Sequence, residues 1–209
     1  MSRNDGLALL SQGLTIRAGH TVLLDDSVLL DDARLEQHSC LSIRSGLVRV
    51  AISQPDQDVL QTAPITLGFL QTGDHLSLDL LRTVRLHLHA LTPTLLESHG
   101  TPIPPLGASS LQEWTVALLM IRHLGEAEQR LQALLGLLVR RLGRRGPDGY
   151  ALPLRLTHAE LAELSGQNRV TVTRQLSRWR ERGLIKRACL GEGDDSERGL
   201  RLAPELIDG

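Results

Sequence analysis

The stretch Leu156-Thr-His-Ala-Glu-Leu-Ala-Glu-Leu-Ser-Gly-Gln-Asn-Arg-Val-Thr-Val-Thr-Arg-Gln-Leu-Ser-Arg-Trp-Arg-Glu-Arg-Gly-Leu-Ile185 reads as two amphipathic helices in tandem. Thr157 is placed to cap the first, and Glu160, three residues on, completes a capping box. Leu161 and Leu164 form its buried stripe, and Ala162 is small enough for close helix contact. Ser165-Gly166 ends it, glycine supplying the left-handed turn that two crossed helices need. Asn168 caps the second helix.

At 100° per residue the second helix buries Val172, Leu176 and Trp179 along one stripe. The opposite face collects Val170, Arg174 and Ser177, flanked by Thr173 and Arg178, with Arg169 at the N-terminal edge. Four arginines and no acid fall between positions 168 and 180. A packed back and a front able to touch base edges and phosphates are what a major-groove helix requires. A solvated charged face is the plain alternative for the charges alone. The offsets of Ala162, Gly166 and Val172, with the one-sided charge, favour a helix-turn-helix that binds double-stranded DNA. Thr157, Gln167, Asn168, Arg169, Val170, Thr171, Thr173, Arg174 and Arg178 are its predicted contacts. Beyond Ile185, the stretches 186–190 and 199–202 flank a polar Gly191–Arg198 tip, the pattern of a β-hairpin wing.

The rest of the 209-residue chain fits a globular protein, with 41% hydrophobic and 22% charged residues. One Phe, one Tyr and two Trp are too few for the ring platforms that stack single-stranded bases. The net charge of −1 hides an asymmetry. Residues 1–109 carry 7 Lys/Arg against 11 Asp/Glu, whereas 153–189 carry 8 against 3, so only the second block suits phosphate. No apolar run approaches a membrane span, the N-terminus lacks a signal-peptide core, and Cys40 and Cys189 form no metal or disulfide pattern. A cytoplasmic location without membrane contact is expected.

The first hundred residues read as short strands. Val84–Leu91 alternates, with Val84, Leu86, Leu88 and Ala90 on one face and Arg85, His87 and His89 outward and solvated. Residues 40–52 read as two strands about the Ser45-Gly46 turn, and Ile65–Leu70 as another. These predict a β-sandwich or barrel. From Ser109 or Ser110 the period becomes helical. Leu111, Trp114, Leu118 and Ile121 have the 3-4-3 spacing of a dimer seam, or of a helix packed on its own barrel. Gly125 interrupts this helix, and Leu131, Leu134, Leu138 and Leu142 mark a second one ending at Gly143. Residues 144–149 read as a turn or linker.

Barrel, long helix, hinge, second helix and winged helix-turn-helix, in that order, resemble the cyclic-AMP receptor and FNR family of bacterial regulators. The run Arg169-Val-Thr-Val-Thr-Arg174 and the segment Ala90-Leu-Thr-Pro-Thr-Leu-Leu are most similar to the cyanobacterial nitrogen-control branch. The resemblance implies an α+β fold. It has a jelly-roll β-roll over 1–108, a dimerisation helix and hinge over 109–125, and a DNA-binding domain over 126–209. It further implies a homodimeric transcription regulator acting on a palindromic site, with RNA polymerase as a further partner. Arg169 and Arg174 become the base- and phosphate-contacting arginines, and Val170 replaces a base-reading Glu. Gln175 stands where an apolar residue is expected.

The barrel departs from the cyclic-nucleotide binders of that family. Gly73-Asp-His-Leu-Ser-Leu-Asp-Leu-Leu-Arg-Thr-Val84 lacks their Glu and shortens their phosphate cassette, so no cyclic-nucleotide effector is expected. The nitrogen-control branch instead implies a 2-oxoglutarate-like effector at Leu76, Ser77 and Arg122. Iron–sulfur ligation lacks its cysteines, and haem would rest on His75 alone. Two readings lie outside the regulators. His87-Leu-His89 has the His-x-His spacing of a cupin-like metal-dependent enzyme, but its next acid, Glu97, is far off. An interaction module that has lost DNA binding would have to explain the intact arginines.

Overall fold

The computed structural model describes residues 13–25, 40–55, 63–99, 110–189 and 198–208. The chain divides into two compact units, Met1–Val116 and Ala117–Gly209. Among the described residues the first unit holds eight strands: β1 (Leu14–Ile16), β2 (Thr21–Leu24), β3 (Cys40–Ser45), β4 (Leu47–Ser53), β5 (Ile65–Gln71), β6 (His75–Ser77), β7 (Arg85–Ala90) and β8 (Thr94–His99). They pair antiparallel in two sheets of order β1-β8-β3-β6 and β2-β7-β4-β5. Inward residues of both sheets, Leu41, Ile43, Val48, Val50, Leu86, Leu88 and Leu96 among them, form one apolar core. That is the predicted sandwich. The alternation in β7 decides which face is core: Leu86, Leu88 and Ala90 are buried.

The two strands read about the Ser45-Gly46 turn are both present, and they lie in different sheets. Gly46, at φ +97°, carries the chain across where Pro93 and Thr94 leave no room for a Cβ. His87 is not solvated: it is only 7% exposed, and its Nε2 hydrogen-bonds the Ser53 hydroxyl at 2.8 Å. Burial, then the charges of Arg85 and Arg49, hold its pKa below the ordinary histidine value. The shortened cassette after Gly73 forms β6 and a 3₁₀ turn, Leu78–Arg82, whose Leu78 and Leu81 fill the core.

Helix α1 (Ser110–Arg122) begins in this unit. Leu111 enters the strand core, and Trp114 lies directly on Gly68, where any Cβ would collide with its indole. Its ring meets Phe69 edge-on at 5.1 Å. The Thr115 hydroxyl donates a hydrogen bond in the region of the Leu67 and Leu111 carbonyls.

The second unit contains the end of α1, then α2 (Ala127–Leu142), β9 (Arg144–Gly146), β10 (Gly149–Leu152), α3 (His158–Ser165), α4 (Arg169–Glu181), β11 (Ile185–Cys189), β12 (Arg198–Leu202) and α5 (Pro204–Ile207). The turn or linker expected at 144–149 is a turn, closing a hairpin of β9 and β10, and the sheet runs β11-β12-β10-β9. The wing strands pair as predicted, while their tip at 191–197 and the Ser109 capping option lie outside the described residues. In α2 the buried Leu131, Leu134, Leu135 and Leu138 supply the core. Among the described residues no helix is long and apolar enough to cross a membrane.

Candidate nucleic-acid interface

The two helices of the deciding stretch form where their caps demand. Thr157 Oγ1 accepts from the Glu160 amide at 3.2 Å, and Glu160 Oε2 accepts from the Thr157 amide at 2.7 Å. Gly166, at φ +64°, ends α3 in the left-handed conformation, and its amide bonds back to the last turn. Asn168 Oδ1 then accepts from the Thr171 amide at 2.8 Å and starts α4. These caps leave the Thr157 hydroxyl proton and the Asn168 amide hydrogens available to a phosphate.

Helix α4 buries Val172, Gln175, Leu176 and Trp179. The Trp179 indole donates to Glu128 of α2 at 3.1 Å, which fixes the helix from behind. Gln175, buried against expectation for an apolar site, leaves its Oε1 without a hydrogen-bond partner. On the other side Arg169, Arg174 and Arg178 are exposed, and Val170 is 59% exposed. Arg180, Arg182 and Lys186 extend the exposed positive charge. Such a surface, positive with one apolar spot near the helix N-terminus, suits a phosphate-lined groove with a thymine methyl in it.

Two predicted contacts also hold partners inside the domain. Gln167 donates its Nε2 to the Ala127 carbonyl at 2.9 Å, toward the start of α2. Thr173 donates its hydroxyl to the Arg169 carbonyl at 2.8 Å. The same hydroxyl lies 2.9 Å from His158 Nδ1, within hydrogen-bond distance. His158 thereby locks α3 to α4. No sequence signal singles it out, because the pair is made only by the crossing of the helices.

The four residues of the expected seam are already covered in the single chain. Leu111, Trp114, Leu118 and Ile121 are all buried within one protomer. The stripe left uncovered on α1 is Val116, Leu119 and Met120, at 61%, 54% and 65% exposure. The three residues named for an effector each have surroundings of their own within their unit. Leu76 belongs to the strand core, the Ser77 hydroxyl donates to Asp79, and Arg122, in the second unit, is paired with Glu163 at 3.0 Å.

A capped helix-turn-helix with a basic front, followed by paired wing strands, defines a winged-helix DNA-binding protein. The comparisons with known proteins agree. Residues 129–191 match the Crp-like helix-turn-helix domain, and residues 14–107 match the cyanobacterial CRP family N-terminal domain. Regulatory protein CysR of Synechococcus elongatus is 36% identical over 156 residues, spanning 69% of this chain and 70% of that protein. The global nitrogen regulator of a Synechocystis species is 31% identical over 113 residues, spanning 46% of this chain and 50% of that one. A CRP/FNR-family regulator of Thermus thermophilus shares the fold at a TM-score of 0.62 and 20% identity, over 94% of this chain and 98% of that chain.

The chain belongs to the CRP family of DNA-binding transcription regulators. It is a regulator rather than an enzyme, which overturns the cupin-like alternative. The His-x-His pair has other partners: His87 bonds Ser53, and His89 Nδ1 bonds the Thr21 hydroxyl at 2.8 Å.

Proposed function

We propose that this protein binds a palindromic duplex as a homodimer, laying α4 of each protomer in successive turns of the major groove. The observation that carries the proposal is the face of α4 itself, where Arg169, Val170, Arg174 and Arg178 stand exposed over a fully packed back. Dimers place two such faces about one helical turn of DNA apart. CRP-family regulators act as dimers, and the exposed stripe Val116, Leu119 and Met120 is the surface of α1 suited to that role here. In this reading residues 1–108 are a sensor-like roll, 109–125 the dimer helix and hinge, and 126–209 the DNA-binding domain. The protein works in the cytoplasm beside RNA polymerase, its remaining partner.

Proteins of this fold often bind effector ligands. The roll of this chain favours action without a cyclic nucleotide. Among the described residues its core is largely apolar, with Ser42, Thr66, His87 and Thr94 the buried polar side chains, and Leu78 and Leu81 of the shortened cassette belong to that core. A phosphate there would lack the charged partners that offset its desolvation. A 2-oxoglutarate-like carboxylate finds little support, since Arg122 already pairs with Glu163.

Selection of duplexes from a random library tests the reading. A palindrome of GTA…TAC type is expected, as the resemblance of the run Arg169–Arg174 to the nitrogen-control branch implies, and Arg174→Ala then weakens the selected site by about 1–3 kcal/mol while barely affecting random DNA. No enrichment of any palindrome would overturn it.

A further inference from the structure

We infer that Arg122 is a positioning residue, a strut that fixes the orientation of the reading head against the end of helix α1. The inference rests on the DNA-reading proposal above. Arg122 is the last residue of α1, yet its guanidinium is spent entirely on α3. Nη2 donates to the Glu163 carbonyl at 3.1 Å and to its carboxylate at 3.0 Å, and Nε donates to the Leu164 carbonyl at 3.4 Å. The final carbonyls of a helix lack intrahelical partners and carry the negative end of its dipole, so a cation there is doubly matched. The pair is partly shielded from water, at 29% and 27% side-chain exposure.

The stem of Arg122 matters as much as its head. Its Cγ lies 3.1 Å from where a Cβ on Gly166 would stand, so it covers the turn that sets the angle between α3 and α4. At that turn the Gly166 amide bonds back to the Ala162 and Glu163 carbonyls. The direct chain connection is thinly packed: His123, Leu124, Gly125 and Glu126 are all exposed, with the His123 and Leu124 amides bonded to the last turn of α1. With the link so thinly packed, α1 and the α3–α4 turn are held together by side chains. Arg122 reaches over from α1, and Gln167 reaches the first carbonyl of α2. If α1 joins two protomers, this strut sets the separation of the two reading helices.

The test compares wild type, Glu163→Gln and Arg122→Met, as full-length protein, on the selected palindrome and on versions with one base pair added or removed at its centre. Arg122→Met is expected to bind the selected palindrome about tenfold more weakly and to discriminate less among spacings. Binding to random DNA and the melting temperature should stay unchanged. Glu163→Gln keeps the carbonyl bonds and should lie between. Unchanged affinity and spacing preference in Arg122→Met would overturn the inference. So would an equal loss on every duplex with a lower melting temperature, which marks an ordinary stabilising contact. Amide hydrogen exchange over residues 123–126 reads the strut without DNA. It should quicken in Arg122→Met, and its constancy would refute the strut even if the wild type selects no duplex, a failure that falls on the DNA-reading proposal instead.

Discussion

Replacing Leu119 by glutamate separates the two surfaces through which α1 could meet a second protomer. Val116, Leu119 and Met120 lie on one helical face and are half to two-thirds exposed. Full burial of such a side chain is worth about 1.5–3 kcal/mol, so covering the exposed part gives about 1–2 kcal/mol each. With both protomers contributing, the gross gain is about 6–12 kcal/mol, set against an association cost of about 4–15 kcal/mol. A single position therefore decides whether the dimer holds. Leu119→Glu removes about 1–2 kcal/mol of burial on each side and brings two carboxylates together out of water. A loss of about 4 kcal/mol or more follows, a thousandfold or greater rise in Kd. Sedimentation at micromolar concentration should show a dimeric wild type and a folded, monomeric Leu119→Glu. Leu118→Glu should instead unfold, because Leu118 is 2% exposed within its own protomer. A monomeric wild type would refute the reasoning. A dimeric Leu119→Glu beside a folded, monomeric Leu118→Glu would restore the buried seam.

Val170→Glu offers an acceptor where the natural side chain offers only a methyl surface, and should shift one half-site position toward a C·G pair by about 1–3 kcal/mol of discrimination. Repeating the duplex selection checks it, and an unchanged consensus would mean that Val170 does not set the base. Gly68→Ala drives a methyl into the Trp114 indole, so a loss of about 1–3 kcal/mol in chemical denaturation is expected, with quenching or shift of Trp fluorescence. His87 is held below its usual pKa near 6.5 in the folded roll, chiefly by burial. The unfolded chain therefore binds the proton more readily, so stability is full above about pH 6.5 and falls as pH drops toward the folded value. His87→Asn should flatten that part of the pH–stability curve.

The sequence of the second half determined its own local structure almost completely. Thr157 with Glu160, Gly166 and Asn168 are short-range signals, each satisfied within four residues, so the caps and the turn are legible one after another. The burial of Val172, Leu176 and Trp179 opposite exposed arginines follows from the same 100° step. In the first half, the alternation of β7 likewise announced its core face.

What tertiary structure alone decided involves partners distant in sequence. The period of α1 identifies Leu111, Trp114, Leu118 and Ile121 as one apolar stripe but cannot say what covers it. Only the placement of Gly68 and Phe69 against Trp114 shows that the stripe's N-terminal part is used within the protomer, while the neighbouring face of Val116, Leu119 and Met120 is exposed. Residues 144–149 read as a turn or linker and no more, because a three-residue strand has no period to read, and pairing with β10 makes residues 144–146 a strand. Thr173 and Gln167 share the polar character of a DNA contact, and it is the crossing of α3, α4 and α2 that also gives Thr173 His158 and Gln167 the Ala127 carbonyl as partners. Arg122 looks equally suited to an effector carboxylate, since a guanidinium binds any carboxylate presented to it. The chain presents Glu163, 41 residues away, and local sequence carries no signal at that separation.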